Sequence, residues 1–527
     1  MHYAVIFVLL LAFVFGLGLL ARRLTIPYPI LFVIGGLFIS FVPHLPRLNI
    51  DPEVIFFIFL PPLLYIQAFY TSWRDFRGEL RAIMLLAIGL VLATTVAVAY
   101  IAHWMIPGLS LAAGFVLGAI ISPPDAIAAS AIAQKLGLPR QVVTILEGES
   151  LVNDSTSLVA YKIALGAIAM QGAPILGGIW LPGTFIYVSA AGIAVGLGVG
   201  WVADWVRRRV INDGANIVLT VSILTPFVSY LAAEPLGASS VLAVVTTGLY
   251  LGWGSPEVIP AAIRLQAQSV WDMLIYLLNG FIFVLIGLQL PGILHGIVDY
   301  SWSQLLLYAL VINATCILVR IAWIFPGAYA PYMFKSVRKL KSPPDWREVF
   351  IVGWSGMRGI VSLAAALALE GQSNFPQVHV VQFLAFSVIL TTLVFQGLTL
   401  PPIIRYLGVG DDGSAAQEEN EARHRISEFV LRKLVEAREE ASYPVSALDT
   451  IERLYQERAL ALQDALADQL GWSDHRHHLV STRRLHRAML AQQRHTLIEM
   501  RRTGQIGDDV MHKIEHELDL EEARLKI

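Results

Sequence analysis

Six charged side chains interrupt stretches that are otherwise apolar: Asp125, Glu149, Asp154, Lys162, Arg320 and Arg358. Charge in such surroundings is costly and marks a candidate functional site, usually with a partner. Asp125 lies in GAIISPPDAIAAS, directly after Pro123 and Pro124. Two consecutive prolines remove two amide donors and obstruct the preceding turn, so a helix is expected to open there. The freed carbonyls need partners, which within a bilayer are found only in protein or a water-filled cavity. A carboxylate beside opened backbone suits a cation. The plainer alternative is a proline kink with a capping Asp. Glu149, Ser150, Asn153 and Asp154 lie together in LEGESLVNDSTSLV. Glu149 and Asn153 are four apart, as are Ser150 and Asp154, so each pair stacks on one helix face. Ser150 and Asp154 offer two oxygen ligands one turn apart, as a hard alkali cation prefers. Asp154 alone can hold either a proton or a cation. Polar contacts between helices would explain Ser150 and Asn153 but would leave two carboxylates unexplained.

The two arginines extend this set. Arg320 stands in ILVRIAWIF and needs an acid; Glu149 is the candidate, because Asp125 and Asp154 are wanted for the ion. Arg358 stands in GWSGMRGIVSLAAAL, flanked by Gly356 and Gly359, which loosen its turn. Close to a span end, such an Arg can also snorkel to the interface. The same outward reading applies to Lys162, while Glu147 and Asp272 lie nearer span ends.

The elements that position these residues are membrane helices. Of 527 residues 56% are hydrophobic and 15% charged, against about 25% charged in soluble domains. Residues 1–405 hold 38 of the 78 Asp, Glu, Lys and Arg, and residues 406–527 hold the other 40. A transmembrane domain, 1–405, therefore precedes a polar domain, 406–527, expected to be cytoplasmic, helical and regulatory. A span needs about 20 apolar residues. Thirteen runs qualify: 3–21, 27–43, 54–70, 80–104, 109–133, 142–170, 184–206, 215–233, 238–253, 270–290, 302–325, 350–369 and 378–400. Loops after odd-numbered runs carry 16 Lys and Arg, and loops after even-numbered runs carry only Arg47. By the positive-inside rule the odd loops and the C-terminal domain are cytoplasmic and the N-terminus is outside. The first run lacks a charged n-region and reads as a retained span.

Several function classes drop out. A net charge of −2 provides no basic footprint for nucleic acid. One cysteine, Cys316, excludes a disulfide framework and reads as a small buried hydrophobe. The chain contains no GxxxxGK[ST] loop for ATP. No cofactor is implied. In the C-terminal domain, 418–440, 447–470, 481–502 and 509–525 read as helices, with Pro444 and the Gly504–Gly507 stretch as separators. Its histidines, including His475, His477 and His478, suggest either a solvated polar stretch or a pH or metal sensor.

The loosened turn at Arg358 falls seven spans after the Pro-Pro break. Spans 1–6 and 8–13 can then be two six-helix units, each interrupted at its fifth helix and inverted relative to the other. Paired interruptions of this kind point to a transporter site at a repeat interface. The chain thus reads as an all-α polytopic membrane protein of about 13 spans with breaks in the fifth and twelfth.

ESLVND after PPDA, then an Arg in a late span, then GMRGIVSLAAAL, resemble the bacterial Na+/H+ antiporters of the first cation:proton antiporter family, which also contains the eukaryotic Na+/H+ exchangers. WDMLIYLLNGFIFVLIGLQL is similar to the family's tenth span, and the resemblance covers residues 1–405. It implies exchange of a monovalent cation for H+ at one shared site, a homodimer, and an elevator-like movement of a core bundle. Carried over by motif, Asp154 is the ion- and proton-carrying acid. Asp125, the Pro124 backbone and Ser150 complete a Na+ site, Glu149 and Arg320 form a supporting pair, and Arg358 sits by the second broken helix. Asn153 is counted with the ion- and proton-binding residues and marks the branch expected to be electroneutral. Two departures stand out: Pro124 where many relatives carry Thr, and Ile66 in LPPLLYIQAF where many carry Glu or Asp. Gln67 is the nearest polar substitute, about 100° away around the helix. The missing acid keeps K+ open as the cation beside Na+ and Li+. A cation channel would need a ring of carbonyls or acids, and no such repeat is present. A sensor signalling through the C-terminal domain would tolerate Asp154→Asn. Asp125 and Asp154 could also form a hydrolytic dyad, but no substrate-access feature is readable.

Overall fold

A computed structural model describes residues 2–24, 27–41, 52–169, 180–297, 300–333, 343–371, 377–410, 413–440, 443–467 and 489–500, with a few single positions elsewhere. Two units separate, Met1–Asp411 and Asp412–Ile527.

The first unit is helical throughout its described elements. In chain order these are α1 (His2–Leu24), α2 (Tyr28–Ser40), α3 (Pro52–Tyr70), α4 (Leu80–Met105), α5 (Leu111–Ile121), α6 (Ala126–Lys135), α7 (Arg140–Ala169) and α8 (Trp180–Val210). There follow α9 (Ala215–Ala233), α10 (Ser240–Val258), α11 (Ala261–Leu288), α12 (Trp302–Tyr329), α13 (Trp346–Trp354), α14 (Ile360–Leu367) and α15 (Val378–Leu407). Among the described residues seven segments are long and apolar enough to cross a membrane, and four shorter apolar helices accompany them. One of the seven, Leu111–Lys135, is the broken pair α5 and α6.

Two hydrophobic clusters organise the unit. The larger joins α1 to α7, α11, α12 and α13 to α15, and the smaller, around Tyr65, Val244, Leu251 and Trp271, joins α3 and α10 with residues of α4, α7, α11 and α14. Small residues set the closest approaches. A Cβ on Gly114 or Gly118 of α5 would press on the carbonyls of Ala99 and Thr95 in α4, so glycine there lets the two backbones touch.

Both expected interruptions are present. The run 109–133 divides into α5 and α6, and 350–369 divides into α13 and α14 with Ser355–Gly359 between them. A proline pair does not by itself open a helix, however. Pro61–Pro62 stay inside α3 and Pro401–Pro402 inside α15. What differs at Pro123–Pro124 is a set of tertiary partners described below. Two further irregularities are π-turns, Leu85–Leu90 in α4 and Thr391–Gln396 in α15. Arg47, Lys335, Arg338, Lys339 and Lys341, used for the orientation, lie outside the described residues.

The second unit contains α16 (Ser414–Glu439) and α17 (Val445–Ala467), packed as a hairpin with Pro444 at the turn. Arg438 bridges Asp449 and Glu452 across it. Leu490, Leu497, Met511 and Leu518 form a small apolar cluster. Residues 489–500 are helical, within the predicted helix 481–502, whereas His475, His477 and His478 and most of the predicted helix 509–525 lie outside the described residues.

Candidate functional site

The two helix breaks cross. The backbone N–H of Asp125 donates to the Met357 carbonyl at 2.6 Å. Four helix ends meet here, and each has orphan backbone groups and a partial charge to satisfy. The Asp125 carboxylate serves both positive ends. It caps α6 by accepting from the Ile127 N–H at 2.9 Å, and it also accepts from the N–H of Ile360, the first residue of α14. Arg358 serves the carboxyl end of α5, donating from Nε to the Ile121 carbonyl at 3.0 Å and from Nη1 to its neighbour Gly356. Arg320 serves the carboxyl end of α13, donating to Gly353 at 3.1 Å and Val352 at 3.0 Å. An acid thus sits at both amino ends and a guanidinium at each carboxyl end.

Arg320 and Glu149 form a bidentate ion pair at 2.6 and 2.8 Å, with side chains 1% and 2% exposed. The structure therefore brings these two together, and Arg320 has a second task, capping α13, that sequence reasoning missed. Arg358 lies in the break itself, not early in a helix, and at 1% exposure it does not snorkel. Its backbone N–H donates to Thr392 in the π-turn of α15, at 3.1 Å. Gly359 is required by contact. A Cβ there would overlap the Asp125 carboxylate.

Helix α7 places Glu149, Ser150, Asn153 and Asp154 beside the crossing. The Ser150 hydroxyl accepts from the Ala126 N–H at 3.3 Å, and the Asn153 side-chain amide donates to the Pro124 carbonyl at 2.7 Å. Asn153 thus satisfies the Pro124 carbonyl and holds the first break open against α7, while its own Oδ1 has no partner among the described residues. Asp154 is buried, and among the described residues its carboxylate has no hydrogen-bond or ion-pair partner.

A cavity of about 30 Å³ lies at the crossing, lined by Asp125, Asp154 and Ser150 with Gln67, Pro123 and Ser362 among its other walls. That volume holds one or two water-sized species. Asn153 and Pro124 do not line it. Neither does Ile66. The cavity face of α3 is Leu60, Leu63, Leu64 and Gln67, while Ile66 faces a separate cavity of about 540 Å³ beside Phe69 and Trp271. Lys162 and Asp272 are exposed, and Glu147 is half-buried and accepts from Gln134 at 3.3 Å. Cys316 is buried in the larger hydrophobic cluster. Sequence reasoning missed Ser362 and Thr392. Their signal was weak, because single hydroxyls in apolar helices most often bond their own helix.

Two carboxylates, half-buried Asp125 and buried Asp154, thus line one small cavity where broken helices cross inside a helical unit with seven membrane-length apolar segments among the described residues. Residues 9–406 match the family described as sodium/hydrogen exchanger, transmembrane. A protein of Mycobacterium tuberculosis named as an uncharacterised Na+/H+ exchanger is 35% identical, over 99% of this chain and 96% of its own length. A sodium, potassium, lithium and rubidium/H+ antiporter of Bacillus subtilis is 34% identical over 71% of this chain and 57% of its own. The solved structure of the sodium proton antiporter MjNhaP1 from Methanocaldococcus jannaschii aligns with a TM-score of 0.58 at 20% identity, covering 76% of this chain and all of that one, and so shares its fold. The chain belongs to the sodium/hydrogen exchanger family. It is a multi-pass membrane cation/proton antiporter, a transporter and not an enzyme.

Proposed function

We propose that this antiporter exchanges Na+, with K+ as the alternative cation, for H+ at Asp154, one for one and without net charge transfer. The observation that carries the reading is the small cavity in which Asp154, Asp125 and Ser150 converge, with Asp154 lacking any partner among the described residues. A cation and a proton exclude each other on one carboxylate. Coupling follows if the carrier changes face only when Asp154 is neutralised, since an unloaded charge costs several kcal/mol to move through a low-dielectric barrier. Asp125 has a fixed duty at two helix ends, which makes it a positioning ligand and leaves Asp154 as the titrating one. Asn153 and Pro124 shape the site from behind, and Glu149 with Arg320 ties α7 to α12 and α13.

The cavity lies where the two hydrophobic clusters meet, with Leu60 and Leu64 on one side and Leu63 and Ile360 on the other. An elevator-like movement of a core bundle would carry the site between faces. The reading includes 13 spans with two inverted six-helix repeats, the N-terminus outside, a cytoplasmic regulatory domain, and a homodimer in the cell membrane.

The test uses pre-acidified inside-out vesicles pulsed with NaCl, KCl, LiCl or choline chloride. A cation-selective rise of internal pH, absent in Asp154→Asn, is the expected result. No response to any cation from mildly acidic to alkaline pH would overturn the reading and favour a sensor acting through the second unit.

A further inference from the structure

We propose that Ser362 and Gln67 are cation ligands that set the alkali-ion preference of this antiporter. The inference rests on the reading that the cation binds beside Asp154. Ser362 is 1% exposed and lines the same cavity as the two carboxylates, and its hydroxyl has no hydrogen-bond partner among the described residues. Thr95, Ser355 and Thr392 satisfy their hydroxyls on Val91, Ile351 and Val388 of their own helices, each at 2.7 Å, and the Thr94 hydroxyl, though also without a partner among the described residues, does not line the cavity. Ser362 has no such outlet. It is the third residue of α14, and the residue four back, Arg358, lies in the break and not in the helix. A buried hydroxyl without a partner keeps its full desolvation penalty, which a cation in the cavity would relieve.

Gln67 approaches from the opposite wall. It shares the Leu60, Leu63, Leu64 face of α3, so the helix turns an amide and not Ile66 toward the cavity. Asp125, Asp154, Ser150, Ser362 and Gln67 together form an all-oxygen set suited to a hard monovalent ion. Only two members are charged, and one is engaged by two helix ends. Selectivity depends on the number and field strength of the coordinating oxygens. A weaker field holds a small, strongly hydrated ion less well, so Na+ and K+ compete on similar terms. The neutral oxygens then decide the ratio.

The experiment uses the purified full chain in proteoliposomes carrying a pH-sensitive dye, titrated separately with NaCl and KCl. Wild type is compared with Asp154→Asn, Ser362→Ala, Ser362→Thr, Gln67→Leu and Gln67→Glu. Ser362→Ala is expected to raise the apparent KM for Na+ by about fivefold to tenfold, the worth of one lost polar ligand, with a smaller change in maximal rate. Ser362→Thr, which keeps the hydroxyl, should stay near wild type. Gln67→Glu should shift the Na+ to K+ preference toward Na+, and Gln67→Leu should raise both KM values. Unchanged KM values and Na+ to K+ ratios in Ser362→Ala and both Gln67 variants, beside active wild type and inactive Asp154→Asn, would overturn this inference while leaving the antiport site intact. Exchange that persists in Asp154→Asn would overturn both. If Ser362→Ala elutes as aggregate, the KM values and ion ratios of the two Gln67 variants decide between the same outcomes.

Discussion

Replacing Arg320 with Met tests whether the pair with Glu149 holds the crossing together. The pair is bidentate at 2.6 and 2.8 Å, and neither side chain is more than 2% exposed. Removing one partner from such a pair typically costs about 3–5 kcal/mol, because the other charge stays buried without compensation. The carbonyls of Gly353 and Val352 also lose their donor, adding about 1–3 kcal/mol. The lower figure alone lowers the folded-to-unfolded ratio by more than about a hundredfold. The double variant Arg320→Met with Glu149→Leu removes both charges, and buried pairs replaced by apolar groups are often neutral. Only the carbonyl cost should then remain, so the double variant should be more stable than Arg320→Met alone. The assay is thermal stability of the detergent-solubilised protein followed by size-exclusion chromatography, run as a double-mutant cycle. Two results would refute the reasoning. One is an Arg320→Met protein as stable as wild type. The other is a double variant damaged by the full sum of the two single changes.

Asp154→Asn should abolish exchange and leave the elution profile unchanged, since no partner among the described residues is lost. Gly359→Ala should displace the Asp125 carboxylate from both helix ends and reduce transport at least tenfold in the vesicle assay. Asn153→Ala removes the donor to Pro124 and should destabilise the protein by about 1–3 kcal/mol, measured by thermal melting. Because H+ and the cation compete for Asp154, the apparent KM for Na+ should rise as pH falls. The rise approaches about tenfold per pH unit once the site is mostly protonated, and a KM independent of pH would rule out a shared site.

The membrane character, the polar second unit and the identity of the charged residues were legible in the sequence. They follow from local properties: apolar run length, charge density, and the cost of placing a charge within such a run. The pairing of Glu149 with Arg320 was legible by elimination among a few buried charges. Other features depend on contacts that no local rule encodes. Three proline pairs show this most clearly. Pro61–Pro62 and Pro401–Pro402 are absorbed within helices, yet Pro123–Pro124 mark a break. Missing amide donors are common to all three, so the prolines permitted the break and did not decide it. The decision lay with Met357, Asn153 and Arg358, which satisfy the opened backbone from distant parts of the chain. Likewise the motif in α3 drew attention to Ile66, whereas helix rotation in the folded bundle turned Gln67 to the cavity. Sequence determined which groups were available, because side-chain chemistry is local. Tertiary structure decided which of them share one small cavity, because that depends on helix rotation and on where two breaks cross.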